Sequence, residues 1–150
     1  MSVFPTTILL AIDGSDEAKR ATEAAVELSK GTGSEVHVVY VLPAPARLIG
    51  HHLYSEETRN SLIGGAEREA ERFLKEQAER IGSDGAKVAE THLRSGDPDK
   101  EILRLAEALE VGLIVIGSRG LGAVSRALMG SVSDSVVRHA HCPVFVVRSS

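Results

Sequence analysis

Val3-Phe4-Pro5-Thr6-Thr7-Ile8-Leu9-Leu10-Ala11-Ile12, closed at once by Asp13-Gly14-Ser15, is the stretch on which the fold turns. It is rich in Ile and Leu and carries no charge, so a strand over residues 3–12 is expected to be buried on both faces. Such strands belong to parallel sheets covered by helices. Asp13-Gly14-Ser15 reads as a turn, and Ser15 as the cap of a helix whose first turn holds Asp16 and Glu17, the sign that a helix N-terminus favours.

Outward from there the same alternation repeats. Ala18, Ala21, Ala25 and Leu28 mark one helical face until Gly31-Thr32-Gly33 ends the run. Residues 36–42 form a second strand, stopped by Pro43 and Pro45, and residues 44–60 read as a loop or irregular lead-in, long for a crossover. Leu62, Ala66, Ala70, Phe73, Leu74 and Ile81 predict a long amphipathic helix over residues 62–81. Residues 87–93 read as a weaker edge strand. Asp97 and Pro98 then start a helix with Ile102, Leu103, Ala106 and Leu109 on its face. Residues 113–116 are a fourth strand. Ser131 with Asp134 three residues on has the pattern of a capping box, opening a helix lined by Val132, Val136, Val137 and Ala140. Residues 144–147 are the fifth strand. Five alternations with right-handed crossovers predict an α/β three-layer sandwich in one domain over residues 1–150, around a mostly parallel five-stranded sheet.

Composition narrows the function. Of 150 residues 43% are hydrophobic, enough for one core that buries roughly 68–70% of the unfolded chain's surface. Three Phe, two Tyr and no Trp leave little for base-stacking platforms. With 17 Lys+Arg against 21 Asp+Glu, the net charge of −4 offers no broad cationic surface to nucleic acid or an anionic membrane. The lone Cys142 forms no internal disulfide and reads as packing before a buried strand, which fits a cytoplasmic setting. The first residues carry no basic leader and meet Asp13 before any long apolar run, so neither signal peptide nor membrane span is expected.

In an open parallel sheet ligands sit beyond the carboxyl ends of the strands. Those ends hold Asp13-Gly14-Ser15, Val41-Leu42-Pro43, Gly96-Asp97-Pro98 and Gly117-Ser118-Arg119-Gly120. Glycines around Ser118-Arg119 let backbone N–H groups approach an anion, with Arg119 adding positive charge. The helix start at Ser131, with the hydroxyls of Ser131 and Ser133, supplies a second half of a phosphate cradle. Asp13 can meet a magnesium ion or a ribose hydroxyl. Each feature alone has a plainer reading: a turn at residues 117–120, a cap at Ser131, a turn-forming carboxylate at Asp13. Their shared position at one end of the sheet favours a site. His51 and His52 bring no further ligand spacing with them, and two adjacent histidines do not both face one metal unaided.

The spacing Gly117-x-x-Gly120, nine residues, Gly130-Ser131, together with Ala11-Ile12-Asp13-Gly14-Ser15, Gly96-Asp97-Pro98 and His141-Cys142-Pro143-Val144, resembles the universal stress protein family in its nucleotide-binding branch. The resemblance covers essentially the whole chain. It implies that Gly117, Gly120, Gly130 and Ser131 hold the ribose and phosphates of ATP, with Ser118, Arg119, Val132 and Ser133 as neighbours. It implies Asp13 beside the adenosine and Mg2+, and the Val41 backbone against adenine. It further implies the strand order 3-2-1-4-5 and a homodimer through the last strand, in keeping with an apolar terminal strand that needs cover.

The expected function is an ATP-binding stress-response regulator or sensor with at most slow hydrolysis. The alternative is a nucleotide-free dimeric scaffold of the same fold. A P-loop enzyme is excluded for want of GxxxxGK[ST]. A dinucleotide oxidoreductase is excluded because Asp13-Gly14-Ser15 stands where GxGxxG is needed and Val41-Leu42 where an acid is needed. A phosphoacceptor domain lacks its acidic partner and its lysine.

Overall fold

A computed structural model describes residues 3–43, 55–119 and 129–148. Along these run β1 (Thr7–Ile12), α1 (Asp16–Thr32), β2 (Glu35–Leu42), α2 (Glu56–Ser83), β3 (Lys87–Ser95), α3 (Pro98–Ala108), β4 (Leu113–Gly117), α4 (Ser131–His139) and β5 (Val144–Val147). The strands pair in parallel in the order β3-β2-β1-β4-β5, as expected.

Burial of β1 on both faces follows from its alternation. Ile8, Leu10 and Ile12 pack with Ala21, Ala25 and Val26 of α1 and Leu74 and Ile81 of α2. Leu9 and Ala11 pack with Ile102, Leu105 and Ala106 of α3 and Val136 of α4. The result is a sandwich of two helices, sheet, two helices, in which β1 and β4 lie at the centre and are almost wholly shut from water. Leu105, absent from the expected face of α3, is one of its most buried residues.

Several boundaries move for local reasons. The first strand begins at Thr7 and not at residue 3, because the Thr6 amide donates to Ser34 Oγ and the ladder opens with Thr7 opposite Glu35. The long helix begins at Glu56, so residues 56–60, expected to be irregular, are helical. Ser55 caps them by accepting the Thr58 amide at 3.2 Å, and Glu56 and Glu57 suit the dipole. That first turn is polar and exposed, so it left no trace in the apolar stripe. The third strand reaches Ser95 because Arg94 and Ser95 pair with Val41 and Leu42. Residues 44–54, with His51 and His52, lie outside the described residues.

Candidate functional site

The carboxyl ends of β1, β2 and β4 open into a cleft of about 240 Å³. Its walls are mainly aliphatic: Val39 and Val41 from β2, Ile116 from β4, Ile102 from α3 and Val132 from α4. Polar groups gather at one side, where Asp13, Ser15, Arg119, Ser131 and Ser133 join the rim with Gly117 and Gly130.

Each rim residue is held by a local device. Asp13 ends β1 and turns back, its Oδ1 accepting the Ser15 amide at 2.9 Å, while Gly14 takes the left-handed φ of 83° that this tight exit requires. Its charge is felt by Tyr40, whose phenol is raised above its ordinary pKa first by burial and then by Asp13. Ser15 caps α1 as expected, accepting the Ala18 amide at 3.1 Å.

Gly117 is required by packing. A Cβ there would lie 2.8 Å from Glu17 Cβ, 2.9 Å from the Glu17 carbonyl carbon and 3.1 Å from the Ala18 amide nitrogen, so the end of β4 rests directly on the first turn of α1. Next to it, the Arg119 guanidinium meets the Glu17 carboxylate at 3.0 Å, with both side chains nearly buried. The positive charge expected of Arg119 is therefore matched by an acid on the first turn of α1, beside the cleft.

The start of α4 departs from the expected capping box. Gly130 is the cap, in extended conformation and with no side-chain capping bond, and Ser131 is the first helical residue. Asp134 does not turn back toward Ser131; its carboxylate pairs with Arg138 one turn on, at 3.0 Å. The cap residue thus brings no side chain over the first amides of α4, and Gly130, Ser131 and Val132 line the cleft. Ser133 is buried, and its hydroxyl donates inward to the Ser118 carbonyl, with the Gly130 carbonyl 3.1 Å away as a second acceptor. The Gly130 amide donates to the same Ser118 carbonyl at 2.7 Å, and the Ser118 amide donates to Val147 at 2.8 Å. Ser118 is thus the knot that ties β4, α4 and β5 together. It is 5% exposed and lies beneath the cleft without lining it. Gly120 falls outside the described residues.

Of the expected site residues, the cleft brings together Asp13, Val41, Gly117, Arg119, Gly130, Ser131, Val132 and Ser133. Pro98, named among the strand ends, also lines the cleft, whereas the sequence reading missed Val39 and Ile102 in its wall. Val39 had a signal, since it shares strand parity with Val41. The fold says what such walls suit: a flat apolar group between β2 and α3, with an anion near the α4 amides. Mg2+ fits the donor set as well, because that ion is usually held by one or two carboxylates together with substrate phosphates, and Asp13 supplies one carboxylate.

A model of the universal stress protein family matches residues 5–148. Among curated relatives, a universal stress protein encoded in the QAH/OAS sulfhydrylase 3' region of Thermus aquaticus is 37% identical over 142 residues, 95% of this chain and 98% of its own. Among solved structures, UspA of Lactobacillus plantarum aligns with a TM-score of 0.82 at 25% identity, covering 97% of this chain and 99% of its own. A universal stress protein of Archaeoglobus fulgidus in complex with dAMP aligns at 0.66 and 27% identity, over 98% and 100% of the two chains. Another universal stress protein, in complex with cAMP, aligns at 0.69 and 25% identity, over 96% and 97%. A match that runs through β1 to β5 and takes in every rim residue of the cleft makes this chain a member of the universal stress protein family.

Proposed function

We propose that the chain is a one-domain, cytoplasmic nucleotide-binding regulator or sensor that takes ATP with Mg2+ in the cleft and hydrolyses it slowly if at all. The observation that carries the proposal is the convergence, on one cleft, of aliphatic walls with the N-terminus of α4, whose cap residue Gly130 has no side chain to occupy the helix amides. Adenine would lie between Val39, Val41 and Ile102, the ribose near Asp13, and the phosphates at Gly130, Ser131 and Val132, with Gly120 as a further contact. A volume just under the about 300–1,000 Å³ of typical small-molecule sites suits a nucleoside inside and phosphates at the mouth. The complexes of two family members with dAMP and cAMP support an adenine nucleotide as the ligand class. Asp13 engages the Ser15 amide, and among the described residues it is the one carboxylate that lines the cleft, so the cleft holds and orients a ligand better than it activates water.

Equilibrium dialysis of nucleotide-stripped protein against labelled ATP and magnesium is expected to give about one ATP per chain at micromolar affinity. Gly130→Phe is expected to abolish binding with the fold intact. No binding up to millimolar ATP would refute the reading and leave a nucleotide-free scaffold.

A homodimer through β5 belongs to the same proposal. That strand leaves Phe145 44% exposed on an edge with no further strand beside it among the described residues. Sedimentation is expected to find a dimer that Phe145→Asp converts to monomer. Among the described residues no helix is long and apolar enough to cross a membrane.

A further inference from the structure

We infer that His37, Glu90 and His92 form a binding site for a divalent late transition metal ion such as Zn2+, separate from the nucleotide cleft. One donor atom from each of the three lies within 4.8 Å of the other two. His37 Nδ1 is 3.0 Å from His92 Nε2, and that same Nε2 is 3.2 Å from Glu90 Oε1. Four-coordinate Zn2+ with bonds of about 2.0–2.2 Å holds its ligands roughly 3.3–3.6 Å apart, so the two short edges are within a few tenths of an ångström of the bound geometry. The hydrogen bond between the rings shows that two imidazole nitrogens already converge on one point. A cation entering there takes the place of the shared proton, and the ring that gives it up carries a proton on its other nitrogen instead, so that both ligands remain neutral imidazoles.

The backbone builds this meeting with a bulge. Val36 pairs with Val88, but the register then slips, and His37 pairs with Glu90. Because strand parity is two, the extra residue flips the face of everything after it. Without the slip Glu90 would stand opposite Val38 and share that residue's face, the apolar one toward α1 and α2. With it, Glu90 and His92 come to the face of His37 and Val39.

The surroundings complete the site. His37 Nε2, the nitrogen turned away from the cluster, lies 3.9 Å from Glu35 Oε1. That distance is too long for a hydrogen bond, but it leaves a carboxylate on the side from which a partner fixes the tautomer of a ligating histidine. His92 is 7% exposed while Glu90 is exposed, so the site has a buried wall and a wet mouth. Three protein ligands with access to water leave the fourth position to a water or an incoming ligand. Imidazole with carboxylate suits Zn2+, Cu2+ or Ni2+ and not a calcium-type ion. None of the three residues lines the nucleotide cleft.

The test is calorimetric titration of chelator-stripped protein with Zn2+, with circular dichroism to check the fold of each variant. The native chain and a His51→Ala/His52→Ala variant are expected to bind one Zn2+ per chain at micromolar affinity or better. Glu90→Gln, at an exposed position, and the double variant His37→Ala/Glu90→Gln are expected to lose at least about 100-fold, and Glu35→Gln about 10- to 100-fold. Absence of Zn2+ binding by the native chain overturns the inference. So does binding that survives in folded His37→Ala/Glu90→Gln protein or vanishes in the His51→Ala/His52→Ala control.

Discussion

Gly117→Ala separates two roles for one glycine. If its purpose is to let a phosphate approach the backbone, a methyl group there should harm nucleotide binding and spare the fold. The geometry gives the opposite order. The new carbon would sit 2.8 and 2.9 Å from two carbons of Glu17, contacts that real Cβ atoms do not make, and one of them is backbone. The first turn of α1 must therefore back away from β4, carrying Ala18, which is 5% exposed, off the central strands. Overpacking of this kind costs about 1–3 kcal/mol. With a urea slope of about 2 kcal/mol per molar, the midpoint should fall by roughly 0.5–1.5 M. Equilibrium urea unfolding followed by circular dichroism reads that shift directly. A midpoint unchanged to within about 0.2 M would refute the close approach, and with it the claim that Gly117 is chiefly a packing residue. Gly130→Ala is the control. Its Cβ would meet Arg119 Cα at 3.3 Å and the Ser118 carbonyl at 3.4 Å, on a backbone with φ of −67°, so the cost should be the smaller one of a poorer cap, about 0.5–1 kcal/mol.

Three further perturbations test other contacts. Ser135 Oγ donates to Asp99 Oδ2 at 2.7 Å, tying α4 to α3, and holds that carboxyl below its ordinary pKa. Ser135→Ala should cost about 1 kcal/mol at neutral pH. Because the folded pKa is depressed, this contribution is complete above the unfolded value of about 3.9 and disappears as pH falls through the folded one, so native and variant stabilities should converge in acid. Cys142 has its pKa raised, first by burial, so a disulfide reagent at neutral pH should react far more slowly with folded protein than with protein in urea; equal rates would contradict the packing. Glu17→Gln should cost about 1–2 kcal/mol, between exposed and buried ion pairs, and should tighten ATP binding about 5-fold at low salt by removing a negative charge beside Arg119, as dialysis would show.

The order of elements was legible because burial is written into β1 and β4: strands with no polar face can only be central and parallel. The Ser15 cap was legible for the same kind of local reason, a short polar side chain ahead of an acidic turn. At Ser131 the identical pattern misled. Asp134 has two possible partners, the backbone behind it and Arg138 ahead, and the salt link one turn on prevails. Once Gly130 takes the cap, the serine hydroxyls lose the role that the pattern assigned to them. Glu17 was read as an acid suited to a helix dipole, which it is. That it also meets Arg119, 102 positions along the chain, depends on β4 lying beside β1, and no local window contains it. His37 and His92 were passed over for a related reason. One is a lone histidine in an apolar strand and the other lies in a polar edge strand, and only the slip in register at β3 brings Glu90 and His92 to the face of His37.

These corrections converge on how the cleft must hold an anion. The expected cradle relied on Arg119 for charge and on the Ser131 and Ser133 hydroxyls for donors. In the fold Arg119 faces Glu17 and the Ser133 proton is directed to carbonyls beneath the floor. Among the described residues, the rim then offers an anion the backbone amides at the start of α4, the dipole of that helix and the Ser131 hydroxyl, beside Asp13, which would repel a phosphate unless a cation lies between them. A divalent ion is then no accessory to nucleotide binding in this proposal but a condition of it. It joins the carboxylate at the end of β1 to phosphates held by the helix opposite, and it supplies the positive charge that the Glu17–Arg119 pair withholds.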